Sequence, residues 1–584
     1  MNIKKQSFKR HKTFFKEEQY NQLQFKQGQT AKKNKELIKI ALAYPNTYET
    51  GMSNLGFQKI YSLINELDNV LCERVFLPTP EVKSDKTKSN KIITYETGTN
   101  IAKFDIIAFS ISFENDYLNL ALMLKNAGIP LKSFNRNKFH PLIIAGGVAC
   151  FLNPEPIACF IDCFLLGEAE FLIKEFFDIY DLKISKHENK KKLTRKIKSI
   201  YVPCFYKSKY TEKGRFAGTF PIKKYAPKKI VKTHVKDLSK IKTITKIFTL
   251  KTVFKNTFLI EIGRGCPHGC RFCSAGFIYR PVRFYSKDII ISAINDSEEF
   301  TKKIGLVSAA VSDHPKINEI CNYAIKNNCT ISFSSLRLDG LTKDLLKTIK
   351  NSGSKSVAIA PEAGSKRMWK IINKKITEKQ ILDAVENLVN SGIINIKLYF
   401  MIGLPFETND DVREIVLLTE KIKQVFLKQS RNNKKIGRIT LSINPFIPKP
   451  FTPFQYACMA TVSILKKKLN IIKNGLKKNP DIKIKCESFK MAKINALLSR
   501  GDRRTSDIIE LALEKGLSFA IKQNQNYCDF KLYSERNPDD PLPWDIINMG
   551  IKKDFFLKQY NLAKNEKQSP DCPMINCKNC RICR

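Results

Sequence analysis

Cys266, Cys270 and Cys273 lie in the run EIGRGCPHGCRFC, spaced C-x3-C-x2-C, so that eight residues supply three thiolates. Soft iron takes thiolate ligands, and a four-iron cube accepts one at each corner. A [4Fe-4S] cluster held by three cysteines keeps one iron open to bind and activate a small molecule. Structural zinc ordinarily takes four protein ligands, and this loop is one short. His268 lies inside the loop, but a residue two positions from Cys270 reaches the same metal only awkwardly. The alternative is zinc with a distant fourth ligand. The flanking Phe272, Gly276, Phe277 and Tyr279 would shield a cluster from water and tune its potential.

A second group sits at the end of the chain. Cys572, Cys577, Cys580 and Cys583, in DCPMINCKNCRICR, are separated by four, two and two residues. Four thiolates make a complete set, and both a second [4Fe-4S] cluster and zinc satisfy it. The chain has 17 cysteines, and their clustering fits metal–thiolate chemistry in a reducing cytoplasmic compartment better than a disulfide framework. Cys72, Cys159, Cys163, Cys321, Cys329 and Cys486 read as small buried hydrophobes.

The elements around these cysteines come from two runs of alternating strands and helices. In residues 36–180, short apolar strands without polar alternation are separated by helices, which predicts a parallel sheet covered on both faces. Ligands of such sheets bind beyond the strand C-termini. The candidate rim is therefore Pro45, Asn46, Thr47, Tyr48, Gly51, Ser110, Ser112, Gly146, Gly147, Gly167 and Glu168. Residues 181–250, rich in lysine, read as a partly ordered linker with a short antiparallel stretch near 199–205. In residues 251–445, strands are expected at 258–262, 304–307, 330–334, 356–360, 394–400 and 438–443, with helices between them. Six such units imply a curved parallel sheet, and the cysteine loop follows its first strand. The expected class is thus α/β: a Rossmann-like parallel sheet, a partial (β/α)6 barrel and an α/β extension at 446–565, with a basic mobile arm at 1–35 and the cysteine tail at 566–584. The proline-rich NPFIPKPFTPFQ is expected as an extended strap, whose Phe446, Phe451 and Phe454 either shape a substrate cavity or simply pack. Arg500, Asp502, Arg503 and Arg504 are expected to form a loop that binds an anionic group or pairs with Asp507.

The formal charge is +46, which points to a polyanionic partner such as RNA. A compositional drift toward lysine is the alternative. No apolar run is long enough to span a membrane, and the N-terminus lacks the apolar core of a secretory signal.

The cysteine loop after the first barrel strand resembles the radical S-adenosylmethionine (SAM) superfamily. The resemblance implies that SAM chelates the open iron and that one electron cleaves it to a 5'-deoxyadenosyl radical. A reductant such as flavodoxin or ferredoxin is implied with it. It also implies that Phe272 packs near adenine and that Ser308 to Asp313 meet the SAM amino group. Ser334, Ser335, Arg337 and Glu362 are implied at the ribose or carboxylate. KLYFMIGLPFET, with Gly403, Pro405 and Glu407, resembles the later strand of the cobalamin-associated subgroup, where glycine and proline let backbone pack against the nucleoside. IIAGGVACFLNPEP and DCFLLGEAE resemble that subgroup's cobalamin-binding domain. No D-x-H-x-x-G segment is present, so cobalamin either binds without a protein histidine or has been lost. YPNTYETGMSNLG, INPFIPKPFTPFQ, ALLSRGDRR and the cysteine tail together resemble a bacterial family of radical SAM proteins with a cobalamin-binding-like domain. The expected activity is radical modification, including methylation, of a macromolecule such as RNA or a translation-related protein. The alternatives are a small metabolite or lipid substrate, and a non-enzymatic iron–sulfur or zinc protein that binds RNA.

Overall fold

A computed structural model describes residues 37–78, 91–334, 336–352, 355–432, 437–574, 577 and 580. The arm at 1–35, Ser335 and Cys583 lie outside the described residues.

The first sheet contains β1 (Ile38–Thr47), β2 (Val70–Leu77), β3 (Ile106–Ser110), β4 (Leu142–Gly146), β5 (Cys163–Leu165) and β6 (Ile200–Tyr201), in the order β2-β1-β3-β4-β5-β6. The first five are parallel, and β6 closes the edge antiparallel to β5. The core strands are buried along both faces, which is why IKIALA, IIAFS and LIIA carry no polar alternation. Helices at Leu55–Asn65, Asp116–Asn126 and Ala169–Ile179 follow β1, β3 and β5. The strand order reverses between β1 and β3, the place where sheets of this kind bind ligands.

Residues 181–250 do more than link. After β6, a hairpin of β7 (Tyr206–Tyr210) and β8 (Phe216–Pro221) stands beside the sheet. It is followed by β9 (Ile230–Val231), and the chain then bridges to the barrel through Ile244 and Ile260.

The barrel is built in two arcs. β10 (Phe258–Glu261) leads to a short antiparallel pair, β11 (Gly263–Arg264) and β12 (Arg283–Phe284). The first arc is completed by β13 (Lys303–Val307) and β14 (Thr330–Phe333), parallel in the order β10-β13-β14. The second comprises β15 (Ser356–Glu362), β16 (Asn395–Ile402), β17 (Arg438–Pro445) and β18 (Lys483–Cys486), also parallel. Burial alternates along β16 and β17, so alternate side chains pack into the core. IKIKCES, assigned in sequence to the C-terminal extension, therefore adds a seventh parallel strand to the barrel. The far end of the chain returns to the middle: β19 (Ile547–Asn548) pairs with β9. The proline-rich strap is extended as expected and then turns at Pro453–Tyr456. Its Phe446, Phe451 and Phe454 are core side chains.

Candidate cofactor centre and interdomain cavity

β11 and β12 pair through Gly263–Phe284 and Arg264–Arg283, pinching the two ends of the cysteine loop together. The loop chain then folds tightly. Gly265 has φ +87, and a Cβ there would stand 2.8 Å from the Tyr279 carbonyl. A Cβ at Gly276 would stand 2.7 Å from the His268 carbonyl. Both glycines are fixed by close backbone approach. The Cys273 N–H donates to the Cys270 carbonyl at 3.1 Å.

The three thiols converge, since each of Cys266 and Cys270 feels the charge of a neighbouring cysteine in the loop. Burial pushes Cys266 up to about 12 and Cys270 up to about 11, and raises Cys273. A bare thiolate is therefore disfavoured there, whereas a coordinated one is formed outright. Among the described residues no three His, Cys, Asp or Glu side chains approach closely enough to chelate one metal ion. His268 is committed elsewhere: its Nε2 hydrogen-bonds Asp313 at 2.7 Å. Asp313, expected near the SAM amino group, holds the loop histidine.

Arg337, Lys374 and Glu362 are the charged groups felt at Cys270. Glu362 ends β15 with φ +69, a left-handed conformation costly for a residue with a side chain. Its carboxylate lies 3.3 Å from the Lys374 ammonium, not beside Arg367, which pairs with Asp411 and Glu566. Phe272 is partly buried against the core. The Ser334 hydroxyl accepts from the Ser308 N–H at 3.1 Å and donates to the Ser308 carbonyl at 3.0 Å, tying the ends of β13 and β14 together. Gly403, with φ +78, donates its N–H to Glu407 at 2.7 Å. The space a Cβ would need there is filled by Leu465 and Ala460, so this glycine packs against the helix Val462–Gly475. Pro405 is part-exposed in the same turn.

Facing this centre is a cavity of about 720 Å³ between the first sheet and the first barrel arc. Ser110, Gly146, Gly147, Gly167 and Glu168 line one side, and Ser308 and Ser334 line the other. The walls between are mostly Ile, Leu, Val and Phe. Asn46 and Thr47, expected on this rim, are not in the lining. Asn46 turns its amide onto Asp116 at 3.0 Å, and the Thr47 hydroxyl pairs with Thr50 at 3.1 Å.

Glu168 is held by protein. Its carboxylate accepts from Arg283 at 2.7 and 2.9 Å, from Arg264 at 2.8 Å and from the Val235 N–H at 2.9 Å. Burial pushes this carboxyl up, but the Arg283 bond and the two guanidinium charges prevail and hold it at about 2. Arg264 also reaches Glu170 at 2.5 Å and Glu261 at 2.9 Å. The residue chosen for the rim is thus the keystone between two domains.

Further supports were not read from sequence. Arg271, fully buried, donates to the Lys370, Ile371 and Lys567 carbonyls at 3.0, 2.8 and 2.7 Å. Asn373 donates to the Gly269 carbonyl at 3.1 Å and accepts from the Ser569 N–H at 2.9 Å. The Cys572 N–H donates to the Pro267 carbonyl at 3.0 Å, which docks the tail on the cysteine loop. Cys577 and Cys580 are buried. The only early signal was a charge inside RGCPHGCR that a surface loop has no need to bury.

The family described as "Radical SAM proteins, N-terminal" matches residues 56–203, and the "Radical SAM superfamily" matches residues 260–419. An uncharacterised protein of Methanocaldococcus jannaschii is 31% identical over 473 residues, covering 81% of this chain and 90% of that one. The ribosomal protein methylthiotransferase RimO of Clostridioides difficile is 23% identical over 219 residues, covering 32% of this chain and 48% of that protein. The solved structure of the radical SAM methyltransferase TsrM from Kitasatospora setae, with cobalamin and a [4Fe-4S] cluster bound, shares the fold. Its TM-score is 0.50 at 9% identity, covering 82% of this chain and 99% of that one. The chain belongs to the radical SAM superfamily, enzymes that use a [4Fe-4S] cluster and SAM. The non-enzymatic alternative falls with that. Among the described residues no helix is long and apolar enough to cross a membrane.

Proposed function

We propose that the protein cleaves SAM reductively and uses the radical to functionalise a C–H bond, by methylation or a related reaction, in a macromolecular substrate such as RNA or a translation-related protein. The carrying observation is the placement of Cys266, Cys270 and Cys273 on one pinched loop, where Cys266 and Cys270 each lie within electrostatic reach of another loop thiol. Cys266, Cys270 and Cys273 would hold a [4Fe-4S] cluster, whose chemistry when bound would be to supply the electron for sulfonium cleavage. The protein's own residues shape where this happens. Arg337 and Lys374 lower the cost of negative charge at Cys270. Glu362, in its strained turn, holds a carboxylate toward the same sulfurs for the polar end of SAM. Arg271 and Asn373 fix the loop backbone, and Phe272 shields its outer side.

The cavity is proposed as the site of a corrinoid. Its apolar walls suit a flat macrocycle, and Ser53, Asn54, Lys59 and Ser112 offer partners for amide arms. No histidine or cysteine lines it, so a corrinoid there would be held by these polar side chains and the apolar walls. Cobalamin bound there would act as a methyl carrier. The apolar walls also favour a second reading, in which the cavity takes a small metabolite or lipid substrate. Cys572, Cys577, Cys580 and Cys583 are assigned to a second metal centre, iron–sulfur or zinc, and the backbone of Cys572 meets the first cysteine loop at Pro267. Flavodoxin or ferredoxin would deliver the electron.

The test is anaerobic reconstitution with iron and sulfide, followed by SAM, dithionite and either total RNA or ribosomes. 5'-Deoxyadenosine is expected, with S-adenosylhomocysteine beside it if methyl is transferred. No 5'-deoxyadenosine with any substrate fraction would sink the reading. Iron, zinc and cobalt counts on the purified protein separate the corrinoid from the small-substrate version.

A further inference from the structure

The positive charge is not spread evenly. Residues 181–246 carry 21 Lys and Arg against four Asp and Glu, a net +17 in 66 residues, while the other 518 residues share +29. A uniform drift toward lysine would leave this stretch with only about +5. The concentration therefore needs a local reason. Much of the stretch lies between the two family matches, which end at residue 203 and resume at 260.

The β7–β8 hairpin presents this charge in register. Lys207 pairs across the ladder with Phe220, and Lys209 with Gly218, so all four residues share one face. Lys207 and Lys209 are exposed, and Phe220 keeps 44% of its surface. The Phe220 ring folds back over Gly218: a Cβ on that glycine would stand 2.9 Å from two ring carbons. The Lys209 ammonium stands 5.4 Å from the ring centroid. Exposed Lys213, Lys223 and Lys224 extend the charge beyond both ends of the ladder. None of these five lysines has an ion pair among the described residues.

The opposite face of the hairpin is anchored. Ser208 donates to Glu155 at 3.4 Å. Glu155 is fully buried and accepts from Arg503 at 3.1 Å and from Tyr201. Arg503 also donates to the Tyr206 carbonyl at 3.1 Å. Arg504 lies 4.1 Å from the Tyr210 ring centroid and donates to the Gly214 carbonyl at 2.9 Å. The ALLSRGDRR loop, expected to bind an anionic group or to pair with Asp507, instead grips the back of this ribbon. Asp507 pairs with Lys132.

We propose that the outer face of the β7–β8 hairpin binds a single-stranded nucleic acid, with a base stacked on Phe220 and flanking phosphates on Lys207, Lys209 and their neighbours. A seated aromatic ring among lysines is the arrangement by which proteins hold single strands without strong sequence preference. A ring lying back against its own strand is badly placed to insert into a bilayer, and an acidic protein has no need of it. The binding deepens the macromolecular-substrate reading above and rests on it only for the statement that the bound strand is the substrate.

The full chain, purified anaerobically, is titrated against a fluorescent 15-nucleotide RNA and against DNA of the same sequence, reading anisotropy between 50 and 200 mM salt. Binding to either strand supports the proposal, and the ratio of the two affinities names the source. With about three phosphates contacted, affinity falls on the order of 20-fold across that range. Phe220→Ala weakens binding about 5- to 100-fold while Phe220→Trp retains it. Lys207→Glu with Lys209→Glu weakens it at least about 10-fold and flattens the salt dependence. Lys466→Glu with Lys467→Glu, on the exposed side of a barrel helix, leaves it unchanged within about twofold. No binding to either strand, or binding indifferent to the hairpin variants, overturns the proposal. So does hairpin-dependent capture of phosphatidylserine vesicles or polyglutamate in place of the oligonucleotides. SAM cleavage is measured on the same preparations. Loss of binding with cleavage intact removes this inference alone, and loss of cleavage in the wild-type chain removes the catalytic reading alone.

Discussion

The Glu168 keystone gives the most direct quantitative test of how the two domains are joined. Its carboxylate takes three bonds from two guanidinium groups and one from backbone, with its side chain 6% exposed. An ordinary carboxyl near 4.5 is held at about 2, a depression of about 2.5 units, which corresponds to about 3 kcal/mol of preference for the folded, docked state. Because the folded value is the lower one, this stabilisation is complete above about pH 4.5 and is lost as pH falls toward 2. Glu168→Gln keeps the shape but leaves Arg283 without its carboxylate, and breaking one side of a buried pair costs about 3–5 kcal/mol. The expected loss at pH 7 is therefore about 3 kcal/mol. It is read as a lower denaturation midpoint and as faster hydrogen exchange at the Val235 amide, whose bond to Glu168 weakens. Glu168→Leu with Arg283→Met should recover part of the loss, since two apolar groups replace a desolvated pair. A change below about 0.5 kcal/mol at pH 7, or an equal penalty at pH 2.5, would refute the argument.

Three further outcomes follow from particular contacts. Cys266→Ala should lower the iron content by one cluster and abolish 5'-deoxyadenosine formation, while any metal of the tail remains, as judged by iron and zinc counts. Gly147→Ala should destabilise the first domain by more than about 2 kcal/mol in thermal or chemical unfolding, because φ is +103 and the new methyl would meet the Ile111 carbonyl at 2.4 Å. The same change at Gly98, with φ +69 and open space around it, should cost only about 1 kcal/mol. Glu362→Gly should leave stability unchanged or raise it by up to about 1 kcal/mol, because it relieves a left-handed residue. It should nonetheless depress SAM cleavage, and a variant that unfolds instead would show that the turn is not strained.

The loop cysteines stood out in sequence because metal chemistry asks for one residue type at close spacing, and the fold carries all three on one pinched loop. Most strands were legible because both sheets bury apolar runs of ordinary length. What sequence could not give was partnership across distance. Glu168 was read as a free rim group because its partners Arg264 and Arg283 lie 96 and 115 residues away. That Leu465 fills the Cβ direction of Gly403 was not legible, because nothing local announces it. The lysine-rich connector was read as a linker with one short antiparallel stretch near 199–205, which the structure places at β6, whereas a two-residue strand such as β9 carries no periodic pattern of its own. Arg503 was left between an anionic group and Asp507 because its partner, Glu155, belongs to the first domain.

These distant partners have a common destination. From the first domain, Glu168 and Glu170 reach Arg264 at the start of the pinched loop. From the connector, Val235 meets Glu168 and Arg283 at its end. From the second barrel arc, Ile372 and Asn373 hold the backbone of Arg271 and Gly269. From the C-terminus, Lys567, Ser569 and Cys572 close on Arg271, Asn373 and Pro267. Four separate parts of the chain thus fix fewer than thirty residues. A cluster held by the three loop cysteines alone would have no fourth protein ligand to fix its geometry, so rigidity would have to come from outside the loop. That requirement explains why an arginine, Arg271, is buried completely between the second and third cysteines. Its guanidinium reads the positions of a helix end and of the tail at once, and the loop takes its shape only when both are in place.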